Sequence, residues 1–168
     1  MKKLKYSIHR FVKPIGFCYV VVSDCGLREI AIGISSKSEC VSNIRKKYGS
    51  RVLSHNGGTS IADKLRRYFG GETASLDYGL DLSWSTEFEK DVYAVLREVP
   101  YGKTVGYGDI ATAIGKPLAF RAVGNALGRN ELPIVIPCHR VVNSNGALGG
   151  FSAGLHIKRF LLKLEGCI

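Results

Sequence analysis

The chain has 168 residues, of which 45% are hydrophobic and 23% charged, so it is long enough to bury the core of one ordinary domain or of two small ones. Lysine and arginine outnumber the acidic residues 24 to 14, and the net charge of +10 favours an anionic partner such as nucleic acid or a membrane surface. No apolar run reaches the roughly 20 residues of a membrane span, and the charge alone does not decide between nucleic acid and a membrane surface. Five cysteines, an odd number, argue against a disulfide framework, so we expect a cytoplasmic protein with reduced thiols.

The first half of the chain is predicted to form a small α/β domain, residues 1–83. The patterns predict strands over 15–22 and 27–34, joined by a hairpin turn, and helices over 38–48 and 60–69. Charged residues and a proline interrupt the first 14 residues. The apolar run after them is therefore interpreted as a core strand rather than as an export signal.

Most of the excess positive charge lies in this half, where residues 1–85 carry 14 basic and 7 acidic side chains. The basic clusters at 44–51 and 64–69 are typical of a solvated face, and a direct nucleic-acid contact is the alternative. The cysteines and histidines of this half lack the paired short spacing of a zinc site, so no metal is expected. They are Cys18, Cys25, Cys40, His9 and His55.

A domain boundary is predicted near "DLSWSTEF", so residues 84–168 form a second, mainly helical domain. Thr86 followed by Glu89 is a capping box at the start of an amphipathic helix. Two shorter helical patterns follow over 107–114 and 119–128, separated by "GKP". They predict a helix-turn-helix, with Gly115 in a left-handed conformation and Pro117 at the start of the second helix.

The second of these helices is rich in small residues. Two glycines in a helix interior cost on the order of 1 kcal/mol each, so a close approach to another backbone should offset them. That neighbour is either another part of the protein or a DNA groove, with Arg121 as the projecting side chain. Residues 100–130 carry four basic side chains against one acidic, which agrees with DNA without deciding between the two.

The segment "PIVIPCHRVVNS", residues 133–144, carries adjacent Cys138 and His139. Prolines at 133 and 137 predict an extended run that leaves the regular strand ladder at Cys138. The thiol is a packed core group, a metal ligand or a nucleophile. His139 and Arg140 favour the nucleophile, because a nearby imidazole or cation lowers a thiol pKa.

Two consecutive extended side chains point apart, so His139 would take the Cys138 proton through a water molecule. Glu165, on the last helix (pattern 155–164), is a candidate to orient the imidazole. The glycine-rich segment 143–156 leads into that helix. With Ser152 in it, this segment is either a pocket wall or a plain connecting loop.

Three motifs in order resemble the methylated-DNA:protein-cysteine methyltransferases, also called O6-alkylguanine-DNA alkyltransferases. They are "RAVGNA" at 121–126, "IPCHRV" at 136–141 and "GGFSAGLHIKRFLLKLEG" at 149–166. The resemblance covers roughly residues 86–166. It implies a helix-turn-helix of winged-helix type that binds the minor groove of double-stranded DNA. It also implies a monomer with no membrane partner, no cofactor and no metal.

The resemblance also implies the chemistry. Cys138 accepts the alkyl group of O6-alkylguanine, with O4-alkylthymine as an alternative substrate, after the base is flipped out of the stack. His139 acts through water and Glu165 orients it. Tyr107 and Ser152 donate hydrogen bonds to the leaving guanine, and the thioether formed is not hydrolysed.

The remaining roles follow from the same motifs. Arg121 fills the space of the flipped base, and Tyr107 presses the adjoining phosphate. The other implied DNA contacts are Lys116, Ala119, Ala122, Gly124 and Asn125. Asn130 ties the helix-turn-helix to the active-site segment, while Val141 and Cys138 carbonyls read the exocyclic amine. The pocket is further lined by Phe151 and Ala153, where many members have tyrosine and glycine.

Two other classes share part of this pattern. A non-catalytic relative that flags lesions would share the helix-turn-helix but lack the cysteine. A thiol hydrolase would share Cys138 and His139 but turn over repeatedly. Stoichiometry with alkylated DNA distinguishes the three.

Overall fold

The computed structural model describes residues 3–55, 60–73 and 75–168. Met1 and Lys2, at the start of the segment interpreted above, lie outside the described residues. The chain divides into two compact units, Met1–Asp81 and Leu82–Ile168. Among the described residues, no helix combines the length and the hydropathy needed to cross a membrane.

The first unit is built on a four-stranded sheet. Its strands are β1 (Leu4–Arg10), β2 (Phe17–Ser23), β3 (Gly26–Ile34) and β4 (Val52–Ser54). The order is β3-β2-β1-β4, with β4 parallel to β1 and the other pairs antiparallel. The predicted hairpin is confirmed, since Ser23 pairs with Gly26 across the turn. The sequence patterns above did not include β1, although Leu4, Tyr6 and Ile8 alternate with polar residues as in a strand.

Two helices complete this unit, α1 (Lys37–Tyr48) and α2 (Ser60–Phe69), with a short 3₁₀ turn at Gly49–Arg51. Both helices were predicted. The side chain of Ser36 caps the start of α1. Gly71 has a positive φ of 87° directly after α2, which explains why that helix ends where the two glycines predict.

The second unit is mainly helical. Its elements are α3 (Glu87–Arg97), β5 (Val105–Gly106), α4 (Tyr107–Ala113), α5 (Phe120–Gly128), a 3₁₀ turn (Cys138–Arg140), β6 (Val141–Val142) and α6 (Leu155–Leu164). The predicted capping box at Thr86 and Glu89 is present. β5 and β6 pair in parallel, which places the residues after Cys138 beside the start of α4.

Helices α4 and α5 pack on each other and on α3. Gly115 has a positive φ of 72°, as predicted. The prediction for Pro117 is wrong, because this proline lies in the turn and α5 begins only at Phe120. Backbone bonds from Lys116 N to the Ala111 carbonyl and from Ala119 N to the Lys116 carbonyl close that turn before the helix starts.

The prediction of an extended run before Cys138 is also wrong. Residues 133–136 form a tight turn, closed by a bridge between Pro133 and Ile136, in which Ile134 has a positive φ of 76°. The buried Asn130 side chain stabilises this turn by accepting from Leu132 N and donating to the Ile136 carbonyl, both at 2.9 Å. Cys138 and His139 then lie in a 3₁₀ turn.

Candidate active site

The Cys138 thiol is buried directly after the turn that Asn130 stabilises. Asn130 Nδ2 donates to Cys138 Sγ over 3.2 Å and to the Ile136 carbonyl over 2.9 Å. Because Asn130 follows Arg129, the C-terminal cap of α5, its side chain links the end of that helix to the cysteine segment. This is the connection that the sequence motifs imply for it.

Burial raises the pKa of the Cys138 thiol, while the Asn130 hydrogen bond and the Lys158 charge act in the opposite direction. The prediction that His139 or Arg140 lowers this pKa does not hold for the net shift, although a backbone hydrogen bond from His139 acts in that direction. The arginine is turned toward a carboxylate, and desolvation outweighs the favourable contacts. The thiol is thus protonated at neutral pH and needs a base to become a nucleophile.

His139 belongs to a buried polar cluster centred on Glu165, which caps the C-terminal end of α6. His139 Nε2 lies 2.8 Å from Glu165 Oε1. Arg140 donates to both carboxylate oxygens, with Nε 2.8 Å from Oε2 and Nη2 2.9 Å from Oε1. Gly102 N donates to Oε2 over 3.3 Å. The bidentate arginine keeps Glu165 ionised.

An ionised carboxylate only accepts hydrogen bonds, so Nε2 of His139 carries the proton. Burial lowers the pKa of His139, and Glu165 opposes that effect only in part. The imidazole is therefore neutral at physiological pH, with the Nδ1 lone pair as the proton acceptor. A neutral base held by a carboxylate is suited to accept a proton from a thiol.

Lys158 is a buried residue beside the site that the sequence patterns did not predict. Its side chain is 0% exposed. The ammonium group donates to the carbonyls of Val141 at 2.6 Å, of Gly150 at 3.3 Å and of Leu148. Burial lowers its pKa to about 8, and the nearby Cys138 raises it. One buried cation thus joins β6 to the glycine-rich loop.

Helix α6 holds Lys158 on its buried side. The buried face of α6 consists of Ile157, Lys158, Leu161 and Leu162, whereas Leu155, which the pattern placed in the core, is 52% exposed. Because lysine is rarely fully buried, the apolar spacing of this helix alone does not predict that position 158 is buried.

A cavity of about 340 Å³ opens onto Cys138. Its lining consists of Tyr107, Gly124, Leu127, Gly128, Cys138, Gly150, Phe151 and Ser152. Tyr107, Phe151 and Ser152 therefore meet around the thiol, whereas Ala153 and Val141 are not among the lining residues. Burial raises the pKa of Tyr107, so its hydroxyl stays protonated and can donate a hydrogen bond.

Gly149 shapes one side of this region. It has a positive φ of 68°, and a Cβ placed there would lie 2.8 Å from the Tyr107 hydroxyl oxygen. A side chain at this position would push Tyr107 away. The absence of a side chain at residue 149 therefore allows the Tyr107 ring to pack against the glycine-rich loop.

The small residues of α5 do not serve internal packing alone. The helix buries Val123, Ala126 and Leu127, whereas Ala122 and Gly128 are exposed. A Cβ at Gly124 would lie 3.7 Å from the Tyr107 ring, an ordinary contact distance. The exposed face of α5 therefore has a low profile from which few side chains project.

The predicted DNA contacts lie on this face or beside it. Arg121 and Asn125 are exposed and Ala119 is half-buried at the N-terminal cap. Lys116 lies in the preceding turn, with its ammonium 5.1 Å from the centre of the Phe88 ring. Among the described residues, no group of histidine, cysteine, aspartate or glutamate side chains has the arrangement of a metal site.

The family model for the 6-O-methylguanine DNA methyltransferase DNA binding domain matches residues 87–167. A methylated-DNA:protein-cysteine methyltransferase of Shigella flexneri is 40% identical over 122 residues, which cover 73% of this chain and 71% of that protein. The chain belongs to the 6-O-methylguanine DNA methyltransferase family. The family's DNA-binding model covers the cysteine, the buried histidine and the helix-turn-helix described above.

Other relatives agree. A protein of the same name from Methanosarcina acetivorans is 53% identical over 103 residues, or 61% of this chain. The aligned part of the chain spans 65% of the length of that relative. The structure of Mycobacterium tuberculosis OGT in complex with DNA matches with a TM-score of 0.81 and 36% identity, covering 96% of this chain and 92% of that one. An α/β domain followed by a helical domain is thus shared with a solved member of the family.

Proposed function

We propose that this protein repairs DNA by transferring the alkyl group of O6-alkylguanine to Cys138. The observation that carries the proposal is the buried thiol at the cavity of about 340 Å³, next in the chain to a neutral imidazole held by Glu165. A cavity of this size suits one small ligand. The family membership and the basic surface supply the substrate class.

The step is a single displacement. Cys138 loses its proton to Nδ1 of His139 through a water molecule, and the thiolate attacks the alkyl carbon. The S–C bond forms as the bond between that carbon and guanine O6 breaks, and its electron pair goes to the guanine. Tyr107 at the ring and Ser152 at the oxygen donate hydrogen bonds to the leaving base. Glu165 stabilises the imidazolium that results.

The carbonyls of Val141 and Cys138 recognise the exocyclic amine of the flipped guanine. In the structure, the Val141 carbonyl accepts from Lys158 and the Cys138 carbonyl accepts from Val141 N. Each carbonyl oxygen has a second lone pair, so both can accept a further hydrogen bond. The base would thus be held by backbone that Lys158 positions. O4-alkylthymine is a second substrate to test.

DNA binds through α4 and α5 as a helix-turn-helix of winged-helix type. The low profile of α5 allows its backbone to approach the floor of the minor groove, and Arg121 enters the duplex where the flipped base stood. Tyr107 presses the adjoining phosphate. A monomer in the cytoplasm suffices for this reaction, which uses no cofactor.

A thioether is not hydrolysed under these conditions, so one protein molecule repairs one lesion. Titration of the protein with duplex carrying a labelled methyl group on guanine O6 tests the proposal. The label should transfer to protein up to one equivalent and then stop. Release of labelled methanol would indicate a hydrolase, and binding without transfer would indicate a non-catalytic lesion sensor.

A further inference from the structure

A second cavity, of about 630 Å³, lies beside the first in the same unit. Its lining consists of Gly106, Tyr107, Gly108, Asp109, Phe120, Asn143, Ser144 and Asn145. Tyr107 lines both cavities. The two cavities are therefore neighbours that share the Tyr107 side chain.

The lining of this second cavity has the chemistry of a nucleobase site. Phe120 and Tyr107 provide two aromatic rings, on which any base can stack. Asn143 and Asn145 add exposed amide groups that can donate and accept hydrogen bonds. Asp109 contributes a carboxylate that accepts from Gly106 N at 2.9 Å. A carboxylate repels phosphate, which favours a base over a phosphate as the occupant.

Phe120 is 46% exposed at the first position of α5, immediately before Arg121. Part of this ring is therefore open to a ligand, and a nucleobase can stack on an accessible aromatic ring. Leu118, two residues earlier, is 89% exposed but does not line the cavity. A substitution at Phe120 therefore tests the cavity, whereas a substitution at Leu118 tests apolar contact with DNA outside the cavity.

We propose that the second cavity binds the nucleobase directly adjacent to the alkylated guanine on the same strand, with Phe120 stacking on it. This inference rests on the proposed function, since it requires the lesion to occupy the first cavity. Neighbouring nucleotides are joined through one phosphate, and the two cavities share one wall. Contacts to flanking nucleotides set sequence context in other enzymes that act on flipped bases.

The test uses the full chain and three duplexes: one intact, and one each with an abasic analogue on the 5′ or 3′ side of O6-methylguanine. The measured quantity is the rate of alkyl transfer from duplex divided by the rate from free O6-alkylguanine. Removing the base on one side should lower this ratio about tenfold for the wild type, equivalent to about 1.4 kcal/mol. Phe120→Ala should lower it about tenfold on the intact duplex and respond no further to the abasic site.

Two matched variants complete the design. Phe120→Tyr keeps the ring and should retain the wild-type ratio, while Leu118→Ala should leave the ratio unchanged. The proposal is overturned if Phe120→Ala stays as sensitive to the abasic site as the wild type, or if Leu118→Ala lowers the ratio equally. Failure of the proposed function looks different, because the wild type would then transfer no label to Cys138 from any substrate.

Discussion

The buried ammonium of Lys158 should make the stability of the protein depend on pH in a specific window. In the folded state burial lowers the Lys158 pKa to about 8, from 10.5 for an unperturbed lysine. Between these values the unfolded chain binds one more proton at this position than the folded chain. The free energy of unfolding therefore rises with pH from about 8 to 10.5.

The size of the effect follows from the shift. Each unit of pKa corresponds to about 1.4 kcal/mol, so the full window contributes about 3 kcal/mol. Below pH 8 the lysine is protonated in both states and the full cost of burying the charge is present. In Lys158→Met this contribution is absent at every pH, so the difference between the two proteins isolates it.

Urea unfolding curves measured between pH 7 and 10.5 test this expectation. The free energy of unfolding of the wild type minus that of Lys158→Met should rise by about 2 kcal/mol or more across the window. Lys163→Met, which removes an exposed lysine of the same helix, is the control and should run parallel to the wild type. Parallel curves for the wild type and Lys158→Met would refute the assignment of Lys158 as a buried cation.

Three further predictions follow from the site. Arg121→Ala should lower the ratio of duplex to free-base alkyl transfer about tenfold, because losing roughly 1.4 kcal/mol of compensation slows base flipping; equal slowing of both would assign Arg121 to the fold. Duplex affinity should fall as salt rises, and Lys116→Ala should reduce the slope by about 1; a salt-insensitive affinity would contradict phosphate binding. Glu165→Gln should destabilise the protein by about 3 kcal/mol, because Arg140 loses its buried charged partner, and the fraction that remains folded should transfer the alkyl group more slowly. Unchanged urea midpoints would contradict this prediction.

Local sequence patterns predicted those helices whose ends are determined by residues close in the sequence. The bounds of α2 and α6 follow from apolar spacing and flanking glycines, and the capping box at Thr86 fixes the start of α3. Strand β1 was missed although Leu4, Tyr6 and Ile8 alternate with polar residues, so a local signal for it was present. Strand β4 has only three residues, too few for such a signal, and depends on its pairing with β1.

The site was predictable where a motif carried it. His139 and Glu165 are hydrogen-bonded, as the family motifs imply. The approach of His139 to the Cys138 thiol stays a prediction, and the backbone that holds these residues differs from the proline-based expectation. The turn at Ile134 depends on hydrogen bonds from Asn130, which local propensity cannot show. The burial of Lys158 was not predicted because its hydrogen-bond partners are backbone carbonyls of distant segments. Such partners cannot be recognised from the identity of the side chains.

The central claim is that Cys138 itself forms the thioether. Mapping of peptides by mass spectrometry, after one equivalent of duplex carrying O6-methylguanine has reacted, tests it most directly. The methyl group should lie on Cys138 alone, Cys138→Ser should remain unmodified, and Cys167→Ser, which removes a half-buried thiol of the same unit, should react as the wild type does. A methyl group on another residue, or transfer that survives Cys138→Ser, would contradict the account.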